Sequence, residues 1–400
     1  MIRRWFLLCF TFLFLLISLT GCWSKRELDE LAIATGIGLD KTDNGYKFTV
    51  QIINPAEVAA KTISTRTAVT TYTSEGRSMF EALRGLTDKA PRKVYLSHIR
   101  KVVFGERLAR EGISETLDFL TRDHELRTDF HIAVAKGMEA HDLLTILTPM
   151  EKIPANKMYF SMETSSEYWA PSLIMKIQQL ISTILEDGKE PVISGVYNVG
   201  NIEKGSNLSN VEDVGAPTDV RVDSLGVFKG DQLIGWMDQL QSTGYNYIEG
   251  NVKNTAEYFK CLDEEGSITL EVMKATSDKT VTIKDGEPQF NVNVSVEGNI
   301  ADVECQIELM KVDTIKRLEK NFSDQLSTLL NDTVSDVQDD FQSDIFGLGD
   351  LIHRTKPKYW NTVKEDWEDR FPEVEVSVKA TVKINRTGTI SNPYQFEKEK

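Results

Sequence analysis

The stretch Phe290-Asn291-Val292-Asn293-Val294-Ser295-Val296 alternates apolar and polar residues without a break. A period of two gives a strand one buried face and one polar face. Strand-like runs precede it at Ser267 to Thr276 and Thr280 to Ile283. After it the period changes. Val312, Ile315, Leu318, Phe322, Leu326, Leu329, Leu330, Val334, Val337, Phe341 and Ile345 recur at the spacing of one helix face. The turn Gly347-Leu348-Gly349 is the predicted stop. A shorter helix carries Trp360, Val363, Trp367 and Phe371, closed by Pro372. The last strand sets Val374, Val376, Val378, Ala380, Val382 and Ile384 against Glu375, Ser377, Lys379, Thr381 and Lys383. Residues 226–400 therefore read as an α+β domain, an antiparallel or mixed sheet flanked by a long amphipathic helix.

Toward the N-terminus, Leu31 to Leu39 and Tyr46 to Ile53 flank the turn signal Asp43-Asn44-Gly45 and predict a hairpin. Thr67 to Thr73 is β-prone. Ser78 to Leu86 reads as a helix with Phe80, Leu83 and Leu86 on one side. Val94 to Phe104 reads as a strand. Glu106 to Thr121 reads as a helix turning Leu108, Ile113, Leu117 and Leu120 inward. A strand at Phe130, Ile132 and Val134 and a short helix from Glu139 to Ile146 complete an α/β pattern over residues 22–150. Pro149 and Pro154 mark a boundary. Residues 151–225 hold a helical pattern from Asn156 to Asp187, closed by Gly188, then a strand from Pro191 to Val199 and a polar loop from Gly200 to Pro217. Val220 to Lys229 and Leu233 to Met237 flank Gly230-Asp231 as a second hairpin. The expected fold class is α+β, with three compact domains, each a sheet packed by helices.

Residues 1–21 have a different character. Arg3 and Arg4 precede a nearly unbroken apolar run from Trp5 to Leu19. That is a signal peptide by charge and length, too short to span a bilayer comfortably. It ends in Leu19-Thr20-Gly21-Cys22, which resembles the bacterial lipobox. The resemblance implies cleavage between Gly21 and Cys22 and a diacylglyceryl group, with further acylation such as palmitate, on the Cys22 sulfur. Two or more acyl chains hold a protein at a membrane where one gives marginal binding. Residues 23–400 are then expected outside the membrane.

The net charge is −15, which disfavours nucleic acid and anionic lipid as partners. Two cysteines remain in the mature chain, Cys261 and Cys305. Outside the cytoplasm they are free to pair, but sequence alone does not bring their Cα atoms together, so a disulfide and two isolated thiols both stay open. No phosphate loop, His-Glu-x-x-His helix or Gly-x-Ser-x-Gly elbow is present. Gly36-Ile37-Gly38 falls in a hairpin strand, not at a helix start. The histidines His98, His124, His131, His141 and His353 are scattered over different elements. Trp169 and Trp236 read as core aromatics. The expectation is a protein with no catalytic set, no metal and no cofactor.

Several stretches taken together resemble the Ger(x)C lipoprotein family. They are Gly21-Cys22-Trp23-Ser24-Lys25-Arg26-Glu27-Leu28-Asp29-Glu30-Leu31, Gln51-Ile52-Ile53-Asn54-Pro55, and the run from Ser97-His98 through Phe104-Gly105-Glu106-Arg107-Leu108-Ala109-Arg110-Glu111-Gly112-Ile113 to Leu117-Asp118-Phe119-Leu120-Thr121-Arg122-Asp123. Leu233-Ile234-Gly235-Trp236 and Ser242-Thr243-Gly244-Tyr245 resemble the start of the family's C-terminal domain. The resemblance implies the C subunit of a nutrient germinant receptor in the inner spore membrane, partnered by A and B membrane subunits and clustered with other germination lipoproteins. Only Cys22 carries over as a site residue. The competing expectation is a lipid-anchored solute-binding protein that captures a nutrient in a cleft between lobes.

Overall fold

The computed structural model describes residues 3–6, 11, 30–60, 66–262 and 265–388. Ten strands make the first sheet: β1 (Leu31–Thr42), β2 (Gly45–Ile53), β3 (Val69–Gly76), β4 (Lys93–Tyr95), β5 (Lys101–Gly105), β6 (His131–Ala135), β7 (Met175–Lys176), β8 (Val192–Gly200), β9 (Thr218–Lys229) and β10 (Gln232–Trp236). The order is β10-β9-β8-β6-β5-β1-β2-β3, with β4 beside β1 and β7 beside β6. The centre is parallel (β1, β5, β6, β8) and the flanks are antiparallel.

A parallel centre needs cover on both faces, so β5 and β6 are buried throughout and β1 and β8 over most of their length. Val102, Phe104, Ile132 and Val134 face one layer, containing α1 (Met79–Gly85), α2 (Glu106–Glu111) and α3 (Ser114–Arg122). Val103, Ala133 and Ala135 face the other, formed by α4 (Ala140–Thr145) and α5 (Pro154–Tyr168). A further helix, α6 (Ile177–Leu185), joins the first layer through Ile177 and Leu180.

Beyond β10 comes α7 (Gln239–Ile248), then the second sheet, β11 (Thr255–Lys260), β12 (Ser267–Lys284), β13 (Glu287–Val303) and β14 (Glu375–Arg386), in that order. Phe290, Val292, Val294 and Val296 are all 1% exposed, as their alternation predicts. Between β13 and β14 the chain forms α8 (Val312–Asp336), α9 (Leu348–Thr355) and α10 (Pro357–Val363).

The way α8 meets this sheet covers the β14 edge and reaches one end of the β11 edge. Along β14 the backbone N–H groups of Ile384, Val382, Ala380 and Val378 donate to Glu319, Ser323, Ser327 and Asn331, at 3.0, 2.8, 2.8 and 3.0 Å. Four helical residues rise about 6 Å and two strand residues about 6.6 Å, so a polar row at every fourth position matches every second strand amide. At the opposite edge, Lys260 N donates to Gln325 at 3.0 Å, and Lys260 O accepts from Asn321 and Gln325. One helix touches both edge strands, so the sheet curls round it. Leu318, Phe322, Leu326 and Leu330 fill the inside.

The α+β class stands, but two sheets are found where three were expected. Residues 151–225 make no sheet of their own; β8 pairs β6 and β9 pairs β8, extending the first sheet. Other expectations shift locally. The strand over Val94 to Phe104 is two strands, β4 and β5, both parallel to β1 and separated by a turn. The helix from Glu106 to Thr121 breaks at Gly112, whose φ of +121 is closed to other residues without strain. The helical pattern from Asn156 to Asp187 breaks into α5 and α6 around Pro171. The stripe of α8 continues past Asp336 as a wide turn at Val337–Phe341 and stops at Gln342 (φ 49), before Gly347. In α1 the buried residues are Met79 and Ala82; Phe80 is 52% exposed. The loop at 200–217 contains two short helical turns, and buried Asn210 ties it down by bonds to Leu147 and Thr218.

Candidate functional site

Cys22 and Gly21, the residues named for lipid attachment and cleavage, lie outside the described residues. Among the described residues no three His, Cys, Asp or Glu side chains are placed to hold a metal ion. The five histidines stay apart in role. His98 meets the Tyr95 ring edge-on, His141 bonds the hydroxyls of Thr49 and Thr73, and His353 stacks on Trp360. His124 lines a surface cleft and His131 is buried. Trp236 donates from its indole to Glu106 at 3.2 Å, but Trp169 is 41% exposed and is not a core aromatic. Cys261 and Cys305 form a disulfide.

Three features stand out. The first is the joint between the sheets. The segment 342–350, following α8, docks on residues 186–190 of the first body. Glu190 N donates to Asp344 O at 2.9 Å and Asp350 N to Gly188 O at 2.9 Å. Ser343 donates its hydroxyl proton to Phe228 O at 2.8 Å. Glu249 takes Lys189 at 2.8 Å on one carboxylate oxygen and Lys279 of β12 on the other. Apolar contacts cross the same joint, since Val192, Leu225 and Val227 of the first sheet share a core with Phe346, Trp360 and Trp367. Gly244 of α7 packs so near Thr333 of α8 that a Cβ would sit 2.1 Å from its hydroxyl oxygen. These contacts make the two sheets one mechanical unit.

Asp344 is the centre of that joint. It is 5% exposed and accepts from Leu348 N (3.0 Å), Gly349 N (2.7 Å) and Trp367 Nε1 (3.0 Å). It thus caps α9 and fixes an indole. Burial pushes its carboxyl up to about 6, against the pull of those donors. Asp344→Ala is expected to lower stability by about 2–3 kcal/mol, the loss of a cap plus one stranded buried donor. A urea titration checks it. The raised carboxyl means the folded state holds its proton more tightly. Its contribution to stability is full below pH 3.8 and is lost as pH rises through about 6, so the cost of the substitution is expected to be larger at pH 4 than at pH 7.

The second feature is an uncompensated base. Lys101 of β5 is 0% exposed, and its amine lies against the Met162 sulfur with no carboxylate in contact among the described residues. Burial pulls it down to about 7. Its neighbour across the ladder is His131, stacked on Tyr159, with Nε2 3.2 Å from Glu163 and Nδ1 buried without a partner. Burial, then the nearby Lys101 and Lys176, pull His131 down to about 4. Both groups are deeply enclosed, so neither can meet a substrate.

The third feature is a cleft of about 550 Å³ between α1 and α3, with Val94 and Leu96 also in its lining. Phe80, Leu83 and Phe119 give it an apolar wall, and charged side chains rim it. Sequence reasoning missed Lys101, Asp344 and the cleft. The only sequence signal for Lys101 is its two-residue offset from Val103, which puts it on the same face of a doubly covered strand.

The structure therefore defines an α+β protein of two rigidly joined sheets whose buried polar groups serve as joints. Two family models match it in succession: the spore germination protein N-terminal domain over residues 24–196 and the spore germination B3/GerAC-like C-terminal domain over residues 223–388. The chain belongs to the Ger(x)C family of spore germination proteins, as its motifs led one to expect. It is 33% identical to spore germination protein KC of Bacillus subtilis (strain 168), over 98% of each chain. It is 26% identical to spore germination protein B3 of the same organism, over 94% of this chain and 96% of that one. The crystal structure of the GerBC protein shares the fold, with a TM-score of 0.54 and 21% identity over 90% of this chain and 100% of that one.

Proposed function

We propose that this chain is the non-catalytic C subunit of a nutrient germinant receptor. In this reading Cys22 is lipidated and holds the protein on the outer face of the inner spore membrane. There it assembles or couples the A and B membrane subunits, in a cluster with other germination lipoproteins. The observation that carries the reading is a spore germination match over the full length of a chain that begins with a lipobox. Among the described residues no helix is long and apolar enough to cross a membrane; in this reading two or more acyl chains on Cys22 supply the anchor. The braced joint around Asp344 and Glu249 suits a body that transmits position between partners rather than one that opens and closes on a solute.

The test is a Cys22→Ala copy as the sole version in spores, with its level checked. Membrane retention is expected to be lost. Dipicolinic acid release in response to one class of nutrient is expected to fall about tenfold or more. A receptor-independent trigger should still work. Full nutrient response from a protein no longer at the membrane would show that the tether has no part in the function.

A further inference from the structure

We propose that the cleft between α1 and α3 is a docking groove for an apolar helical segment of an integral membrane subunit, at the point where that segment leaves the bilayer and carries acidic residues. The proposal rests on the tethered reading above for its choice of partner.

Position is the first argument. β4 runs beside the start of β1, pairing Lys93 with Leu31 and Val94 with Ala32, and both Lys93 and Val94 line the cleft. Leu31 lies only nine positions beyond Cys22. Even fully extended, that stretch reaches about 30 Å. The cleft is thus held close to the membrane surface, within range of what projects from it.

Shape is the second. A surface that inserts into lipid presents apolar side chains outward. Here the apolar side chains of Phe80, Leu83, Val94, Leu96 and Phe119 line a concavity walled by two helices. A concave apolar groove takes the ridge of a partner helix. Phe80, 52% exposed on α1, has no place in the protein's own core, which accounts for a large apolar residue left in water.

Charge is the third. Most rim charges are already matched: Lys93 with Glu125, Arg122 with Asp118, Arg77 with Glu81. Arg84 and Arg92 line the α1 and β4 side of the cleft, and neither has a carboxylate partner among the described residues; Arg84 lies over the Phe80 ring at 4.8 Å. Glu115 and Asp123, on the α3 side, accept from the Tyr46 hydroxyl and from Glu125 N instead of from a cation. The rim is thus cationic along α1 and β4 and anionic along α3, so the incoming helix would meet Arg84 and Arg92 with carboxylates on the side that faces them. A bare anionic membrane is disfavoured by the net charge of −15.

The test uses the full-length lipoprotein in its own membrane, with Phe80→p-benzoylphenylalanine as a photo-crosslinker. The same group at the fully exposed Val214 serves as control. Adducts from position 80 are expected to exceed the control about tenfold and to map, by mass spectrometry, to an acidic-flanked apolar segment at the bilayer edge of an integral membrane protein. Adding Arg84→Glu and Arg92→Glu should reduce them about tenfold. Adducts to phospholipid alone would replace the groove with a membrane contact. Adducts no stronger than the control, or unaffected by the two charge reversals, would overturn the proposal. Fractionation of the same preparation reads the tether separately: a soluble protein that still crosslinks from position 80 would keep the groove and remove the anchor.

Discussion

Lys101→Met is expected to stabilise the folded protein by about 4 kcal/mol at pH 7. Folding moves this amine from an ordinary 10.5 to about 7 through burial alone, and each unit of that displacement costs about 1.4 kcal/mol. Methionine keeps the unbranched shape, removes the buried amine and extends the apolar surface facing Met158 and Met162. The pH dependence gives a sharper signature than the midpoint. Between about 7 and 10.5 the unfolded chain holds a proton on Lys101 that the folded chain has released. Wild-type stability therefore rises with pH across that window, and below about 7 both states are protonated so the contribution goes flat. Lys101→Met should lack this slope. Urea titrations at pH 7 and pH 9.5 on both proteins check the sign and the window. A variant less stable than wild type at pH 7 would mean that the amine has a compensating partner.

Removing the disulfide should have an effect of similar size and opposite sign. The bond joins Cys261, just past β11, to Cys305, just past β13, across 44 residues. Closing a loop of that length restricts the unfolded chain by about 4 kcal/mol at room temperature. Cys261→Ser with Cys305→Ser is expected to lose about that much in oxidising buffer, and to match the reduced wild type. The loss should fall on the second sheet first, because the bond secures the open ends of the β12–β13 hairpin. Hydrogen exchange of β11 and β12 amides would show it. A double variant as stable as the oxidised wild type would mean that the rest of the sheet already imposes the constraint.

Much of the second sheet was legible because its residues obey one period at a time. The alternation from Phe290 to Val296 and from Val374 to Ile384, and the stripe along α8, each bury one face. The first hairpin was equally plain, with Thr42 opposite Gly45 across the turn. The first sheet was harder. Strands covered on both faces lose their alternation, so Val94 to Phe104 looked continuous while the chain in fact turns and rejoins β1 one step further along. α7 was overlooked because it is buried from Ser242 to Ile248, and a helix with no wet face shows no stripe. Phe80 misled for the converse reason: periodicity marks an apolar face without saying whether the protein or a partner covers it.

The candidate sites divide in the same way. The resemblance to a lipobox is contiguous, so Cys22 stands as an expected lipid site from Leu19-Thr20-Gly21-Cys22 alone. The family is readable from long stretches in order, for the same reason. The disulfide, the Asp344 joint, the buried Lys101 and the cleft each unite residues tens or hundreds of positions apart. By itself the sequence determined the α+β class, the export signal as an expectation and the family, because local period and contiguous motif carry those. Only the tertiary structure decided that residues 151–225 extend the first sheet, that one helix covers the β14 edge of the second and reaches Lys260 on the other, and which charges end up buried. Strand pairing and desolvation depend on which distant segments meet, and nothing local in the chain records that.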